Sequence, residues 1–237
     1  MTWDGFYNAR DLGNLPTLDG GRTRPGVFLR CADPQFVTPA GWQRAHQTGF
    51  RTLIDLRNPG EGEPFEAPGF QRERVPLDDI DDRVFWQEIG DLVCCPLYYA
   101  PFLDRKATQC AEVITAIARA EPGVIFHCRG GRDRTGLIAI LLLTLAGATR
   151  EAIIEDYLRS TDALGPFFAR TGEPDQRPLI DAVLAREEIT LRAAVEATLD
   201  GLDGERYLRN AGVTEADLTT LRTRLRPEND NGSPPHR

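Results

Sequence analysis

The spacing of hydrophobic and polar positions divides the chain near residue 149. Before that point, short apolar runs alternate with longer amphipathic stretches. Residues 27–30, 51–56, 72–77 and 124–127 suit strands. The run Thr52-Leu53-Ile54, closed by Asp55, has the near-continuous apolar character of a buried parallel strand. Residues 14–24 read as a hairpin, because Asp19-Gly20-Gly21 supplies side chains that accept positive φ at a turn. Between these runs the pattern predicts a helix over 39–48, with Thr38 as N-cap and Gly49 as its stop. An acidic turn at 78–82 leads into a helix through Glu88. A helix over about 104–120 places Val113, Ile114, Ile117 and Ala118 on one side, and Pro122-Gly123 breaks it. A further helix spans 135–148. Residues 58–69, rich in Pro, Gly and Glu, read as a surface loop. After Thr149 the pattern is helical, over 150–158, about 181–199, 204–210 and 214–226, with 165–178 as a connector.

Strand–loop–helix alternation predicts an α/β fold with a mostly parallel central sheet flanked by helices. The residues from 150 to 226 form a helical C-terminal extension. One domain over 1–226 is expected, followed by a tail at 227–237 whose lack of apolar residues predicts disorder.

Composition narrows the function. A net charge of -8 excludes nucleic acid as a bulk polyanionic partner, so anion binding needs locally gathered Arg. Five cysteines, Cys31, Cys94, Cys95, Cys110 and Cys128, are an odd number in irregular spacing, which is no disulfide framework. Four of them read as small buried side chains. Only three histidines exist, and no Cys/His spacing suits zinc, so neither metal nor cofactor is expected. The N-terminus lacks a signal pattern, and the longest apolar stretch, 137–148, is too short to span a bilayer. A reducing, cytoplasmic setting is the expectation.

Against this background one segment carries chemistry: His127-Cys128-Arg129-Gly130-Gly131-Arg132-Asp133-Arg134-Thr135-Gly136. A strand enters, a loop of small and cationic residues turns, and a helix leaves. Inward-facing loop amides and a helix N-terminus make an anion site. Cys128 sits in its middle, in surroundings that favour a thiolate, and a thiolate beside a bound phosphoryl group is a nucleophile. Arg134, six residues on, can return over the loop to pair two phosphoryl oxygens. Thr135 can donate its hydroxyl to the sulfur as it leaves. Arg129, Gly130, Gly131, Arg132 and Asp133 complete the phosphate-binding set, three arginines against one carboxylate. A Walker loop is excluded, since no Gly-Lys-Ser/Thr triplet follows the glycines. A buried cysteine beside a solvated Arg cluster would need strand, thiol, glycines, spaced Arg and helix to coincide by accident.

Cys-x5-Arg-Thr resembles the signature loop of protein tyrosine phosphatases, and residues 127–136 resemble that of the atypical bacterial tyrosine/lipid phosphatases of the mycobacterial phosphatase B type. The likeness extends to Asn8-Ala9-Arg10-Asp11-Leu12-Gly13, Pro25–Arg30, Thr52–Arg57, Asp156–Ser160 and Tyr207–Val213. The chain departs from that family at Arg132, where Lys is usual, and at Gly130, where Ala is common. The resemblance implies hydrolysis of phosphotyrosine with dual specificity. Basic Arg129 and Arg132 are also similar to phosphoinositide phosphatases related to the tumour-suppressor lipid phosphatase. The implied partner is therefore a phosphorylated protein or a phosphoinositide.

The leaving oxygen needs a proton. The resemblance points to Asp133. Asp78 or Asp79, after the 72–77 strand, and Asp55, at a strand end, are the alternatives. Each also has a structural reading: Asp133 as an Arg partner or helix cap, Asp79 as part of a solvated run, Asp55 as a backbone anchor. By resemblance, Arg10, Asp11 and Arg57 brace the loop, and the helical extension can form a lid. His127 is expected to hydrogen-bond backbone beneath the loop. A rhodanese-like sulfurtransferase does not need Arg134-Thr135, and a non-catalytic phosphate-binding module does not need Cys128.

Overall fold

The computed structural model describes residues 3–226, apart from the side chain of Cys94; the tail read as disordered lies outside the described residues. Five strands form one sheet: β1 (Arg10–Asp11), β2 (Phe28–Cys31), β3 (Thr52–Asp55), β4 (Gln71–Arg74) and β5 (Val124–His127). Their order is β1-β2-β5-β3-β4. Only β1 runs antiparallel, to β2. The sheet is thus mostly parallel, as alternation predicts.

Burial follows composition. β2, β3 and β5 are buried along their whole length, whereas β4, Gln-Arg-Glu-Arg, is exposed throughout, as a charged edge strand should be. Side-chain alternation splits the core. Leu29, Cys31, Leu53 and Ile125 pack with Trp42 and Ala45 of α1 (Pro39–Gln47). Phe28, Ile54, Val124 and Phe126 face the larger core. That core is filled by α4 (Ala107–Arg119) and α5 (Asp133–Leu145), among others. α5 is apolar on nearly every side because it is central.

The register fixes where the chemistry lies. His127 ends β5 level with Cys31 of β2 and Asp55 of β3. The loops leaving these three strands therefore emerge together at the carboxyl edge of the sheet.

Several helices differ from their sequence pattern. The stretch 104–120 is two helices, α3 (Tyr99–Arg105) and α4, parted at Lys106, whose buried ammonium binds Asp79 and Asp82 at 3.0 and 2.6 Å. The latter caps α2 (Arg83–Ile89). α6 (Arg150–Ala163) runs past residue 158. The connector 165–178 contains α7 (Gly165–Thr171), where Pro166 occupies the first turn and Phe167 and Phe168 are buried. The stretch 181–199 splits into α8 (Arg177–Arg186) and α9 (Leu191–Leu199), between which Glu188 takes φ +51° and Thr190 caps the second helix. α10 (Gly204–Asn210) and α11 (Glu215–Leu225) lie as read. The 14–24 hairpin is present as a short irregular one: Pro16 and Arg22 form a bridge, Asn14 N donates to the Thr23 oxygen at 2.8 Å and Thr23 N to the Leu15 oxygen at 2.9 Å, and the turn passes through Gly20 at φ +82°.

Candidate active site

The loop between β5 and α5 is held from outside by its carbonyls. His127 Nδ1 lies 3.1 Å from the Cys128 oxygen. The Arg129 oxygen accepts from Asp33 N at 2.8 Å, and the Gly130 oxygen from Asn8 Nδ2 at 2.9 Å. Arg30 Nη2 donates to the Gly131 oxygen at 2.8 Å and reaches the Arg132 oxygen at 3.4 Å. The Asp133 oxygen accepts from the Tyr99 hydroxyl at 2.7 Å. Six successive carbonyls, 128 to 133, are thus tied away from the loop centre. In a planar trans peptide the N–H points opposite to its C=O, so the amides from 129 to 134 turn toward the concave side. Gly131 makes this path possible. Its φ is +68°, and a Cβ there would stand 2.2 Å from the Cys31 carbonyl oxygen.

The concave side is a cavity of about 130 Å³ lined by Cys128, Arg129, Gly130, Arg132, Asp133, Arg134, Leu164, Phe168, Glu173 and Gln176. Cys128 is almost fully buried. The Thr135 hydroxyl is buried with no hydrogen-bond partner among the described residues. A larger hollow, about 930 Å³, lies between β4 and α4 and shares no residue with this one.

Read along the sequence, the loop sets three guanidinium groups against one carboxylate. In space each finds its own counter-charge. Arg134 is paired end-on by Glu61 at 2.9 and 2.8 Å and met by Asp78 at 3.2 Å. Burial works against its charge, but Cys128, Glu61 and Asp78 outweigh burial and hold its pKa above the ordinary value. Arg132 grips both oxygens of Asp133, at 3.0 and 2.9 Å, and reaches Gln176 Oε1 at 3.0 Å. Arg129 spans the fully buried Asp33, at 2.6 Å, and Glu173. Glu173 and Gln176 belong to the segment joining α7 to α8, so the helical extension covers the loop.

The candidate carboxylates separate clearly. Asp78 points at Arg134. Burial pushes its carboxyl up, Arg134 pulls it down, and Glu61 and Asp133 push it up again, leaving it at about 6. Asp79, its neighbour, turns away to Lys106, and its backbone oxygen accepts from Trp86. Asp55 lies beneath the loop. Burial opposes its charge, but hydrogen bonds from Arg57 and the proximity of His127 and Arg57 bring it to about 2. Asp133 has both oxygens on Arg132, with the Tyr157 hydroxyl at 3.4 Å.

The residues grouped by resemblance as loop braces also separate. Arg57 joins Asp55 to Asp33 by bonds of 2.6 to 2.8 Å. Arg10 binds Asp156, Ser160 and Asn8. Asp11 instead accepts from Gly13 N and Gly26 N, closing the turn between β1 and β2. Sequence reasoning missed Asn8, Arg30, Asp33, Glu61, Tyr99, Asp156 and Glu173. Asn8, Arg30 and Asp156 stood in the strings that carried the resemblance, but nothing in them reveals a contact across more than 100 positions.

No helix among the described residues is long and apolar enough to cross a membrane, and no cluster of three His, Cys, Asp or Glu among them could hold a metal ion.

A mostly parallel sheet thus presents a thiol in an arginine-lined loop ahead of a central helix, a nucleophile set into an anion site. In agreement, residues 1–227 match the tyrosine phosphatase family, and the chain belongs to it. Among its relatives is the triple specificity protein phosphatase PtpB of Mycobacterium tuberculosis, 28% identical over 92% of this chain and 96% of the relative. A tyrosine-protein phosphatase of Nostoc commune is 34% identical over 84% of this chain and 74% of its own length. A protein of Cupriavidus necator, named for the same activity, is 28% identical over 94% and 86%.

Proposed function

We propose that this protein hydrolyses phosphate monoesters through a phosphocysteine intermediate, acting on phosphotyrosine with dual specificity. The observation that carries this reading is the outward tethering of six successive carbonyls, which turns the loop amides toward the cavity holding Cys128 and Arg134. The loop amides and Arg134 hold the phosphoryl oxygens. The Cys128 thiolate attacks phosphorus in line, so that the S–P bond forms as the ester O–P bond breaks. The leaving oxygen takes a proton from a carboxyl group. Water then attacks phosphorus, the S–P bond breaks, and inorganic phosphate leaves as the thiolate is restored. The same carboxylate accepts the proton of the water. The role of donor to the departing sulfur falls to Thr135, and the absence of another partner for its buried hydroxyl among the described residues supports that reading.

For the acid, Asp133 lines the cavity with Cys128 and Asp78 does not, but the partners of the two carboxyl groups favour Asp78. Asp78 is half-buried, adjoins Arg134 and stays protonated in part of the population near neutrality. Asp133 is engaged by Arg132. Replacing each by Asn and comparing alkyl with activated aryl phosphates decides between them. The acid variant is slow only with the poor leaving group, and if Asp133→Asn alone shows that pattern, Asp78 is not the donor.

A second substrate reading, a phosphoinositide or inositol polyphosphate with little protein activity, is favoured by Arg129, which lines the same cavity. Both substrate readings are tested by phosphate release from an aryl phosphate, phosphopeptides and inositol lipids, by wild type and Cys128→Ser. Loss of turnover by several orders of magnitude in the variant supports the thiolate mechanism, and the ranking of substrates separates protein from lipid. Equal activity in both forms would remove Cys128 from the chemistry. Phosphate binding without turnover in wild type would favour a non-catalytic module.

A further inference from the structure

The covering segment meets the loop through a charge pair that the sequence pattern does not reveal. Gly172, at φ +74°, ends α7, and the Thr171 hydroxyl accepts from Glu173 N at 3.3 Å. This short turn delivers Glu173 to Arg129. Glu173 Oε1 accepts from Arg129 Nε at 3.0 Å and from Nη2, while Arg129 Nη1 donates to the buried Asp33 at 2.6 Å. The ring of Phe167 lies against the same guanidinium, its centroid 5.3 Å away. Burial works against the Arg129 charge, but Glu173 and Asp33 outweigh it and hold its pKa above the ordinary value.

The three guanidinium groups that line the cavity therefore differ in what they leave open. The Nε–Nη2 edge offers two parallel N–H bonds, the fork that suits two phosphoryl oxygens. Arg129 gives this edge to Glu173, and Arg132 gives it to Asp133. Arg134 is met end-on by Glu61, through Nη1 and Nη2, and its Nε makes no hydrogen bond among the described residues. One side fork thus remains, enough for one phosphoryl group. Glu173 Oε2 accepts no hydrogen bond among the described residues, and the residue lines the same cavity. A second phosphate on the substrate meets this carboxylate rather than an open guanidinium edge.

We propose that Glu173 is a specificity-determining residue: by pairing Arg129 it holds the cavity to a single phosphoryl group and turns away substrates with further phosphates close by, such as inositol polyphosphates. This role rests on the phosphatase reading above and decides between its two substrate classes in favour of singly phosphorylated groups. A carboxylate beside a phosphate repels it wherever no cation stands between them, and such a repulsive element rejects a ligand as effectively as a missing contact. Arg129 favours the inositol reading by its place in the loop, but it becomes open to a second phosphate only once Glu173 loses its charge.

Binding to the full chain tests this, with Cys128→Ser present throughout to prevent turnover. An inositol monophosphate and an inositol trisphosphate are titrated by calorimetry; they share a ring and differ in the number of phosphates. With Glu173 in place the two should bind with similar affinity. In Glu173→Gln the trisphosphate should gain about tenfold, the scale of one charge-assisted hydrogen bond to the released Arg129, while the monophosphate changes little. Adding Arg129→Ala to Glu173→Gln should remove that gain. Glu173→Ala, which deletes the carboxylate with its stem, should reproduce it. An equal gain for both ligands would mean that the variant only opens the covering segment, and it overturns the proposal. A gain that survives Arg129→Ala gives the second phosphate to another cation and overturns it as well. So does a trisphosphate that binds more than about tenfold tighter than the monophosphate with Glu173 intact, a result that needs no variant at this position to fold. Phosphate release is read separately. Wild type inert toward an aryl phosphate refutes the phosphatase reading, and the affinity ratio then still decides the role of Glu173.

Discussion

His127 carries a pH dependence separate from the chemistry. It is fully buried, its Nδ1 faces the Cys128 carbonyl, and its Nε2 lies 3.8 Å from Asp55 Oδ1. Burial lowers its pKa to about 4, although Asp55 works the other way. The unfolded chain therefore binds a proton near the ordinary value of about 6.5, where the folded chain does not. Stability rises with pH wherever the unfolded state holds more protons, so this residue costs nothing at pH 7 and a growing amount as pH falls from 6.5 toward 4. Between pH 7 and 4.5 the loss should be about 2 kcal/mol. Urea unfolding of wild type and His127→Gln at the two pH values checks it. The variant starts less stable but should lose less on acidification, and parallel losses would mean that His127 does not titrate in this way. Next to it, Gly131→Ala forces a side chain into the Cys31 carbonyl at positive φ, and it should lower both the melting temperature and phosphate affinity.

At the scale of elements, the inner strands and the Thr38 cap were legible and long-range partners were not. β5 stands where its apolar run ends, and Thr38 caps its helix as read, whereas Asp82, Thr190 and Thr214 cap helices whose N-caps the pattern alone did not mark. α7 was hidden, because Gly165-Pro166 looks like a linker until Phe167 and Phe168 find Leu164 and Ala32 to pack against. The site divides the same way. Cys128 and Arg134 share a local motif, but Glu61, Asp78 and Asp33 reach the loop only through tertiary folding. The covering segment also bears on substrate size. A cavity of about 130 Å³ accepts a phosphoryl group but falls short of the roughly 300 Å³ or more of a small-molecule pocket. Phe168 closes one wall. Phe168→Ala should raise kcat/KM for a bulky aryl phosphate several-fold relative to a small one, at a stability cost of about 3–5 kcal/mol. An unchanged ratio would mean that substrates do not pass this wall.

Across the whole molecule, charge is arranged by depth rather than by count. A net charge of -8 describes the surface and says little about the site, where arginines and carboxylates are interleaved. The deepest example is Asp156 of α6. It receives Arg10 of β1 at 2.7 Å and Arg30 of β2 at 2.5 Å, and Arg30 continues to the Gly131 carbonyl. One carboxylate thus joins the sheet edge, the helical half and the back of the loop. Burial opposes its charge, but Arg30 and Arg10 hold its pKa below the usual carboxylate range. Removing one member of a buried network strands the others, which typically costs about 3–5 kcal/mol. Asp156→Asn should therefore lower stability by that order. It should also weaken phosphate binding in the Cys128→Ser background, because Arg30 no longer holds the loop carbonyls firmly. Arg119 and Asp217 also form a direct pair, at 2.9 Å, but Arg119 is largely exposed. Arg119→Ala should leave both the melting temperature and phosphate binding nearly unchanged. Denaturation and calorimetry on the two variants make the comparison. Equal effects would mean that the buried network does not support the loop, and a loss confined to Asp156→Asn would tie phosphate binding to a residue with no place in the cavity.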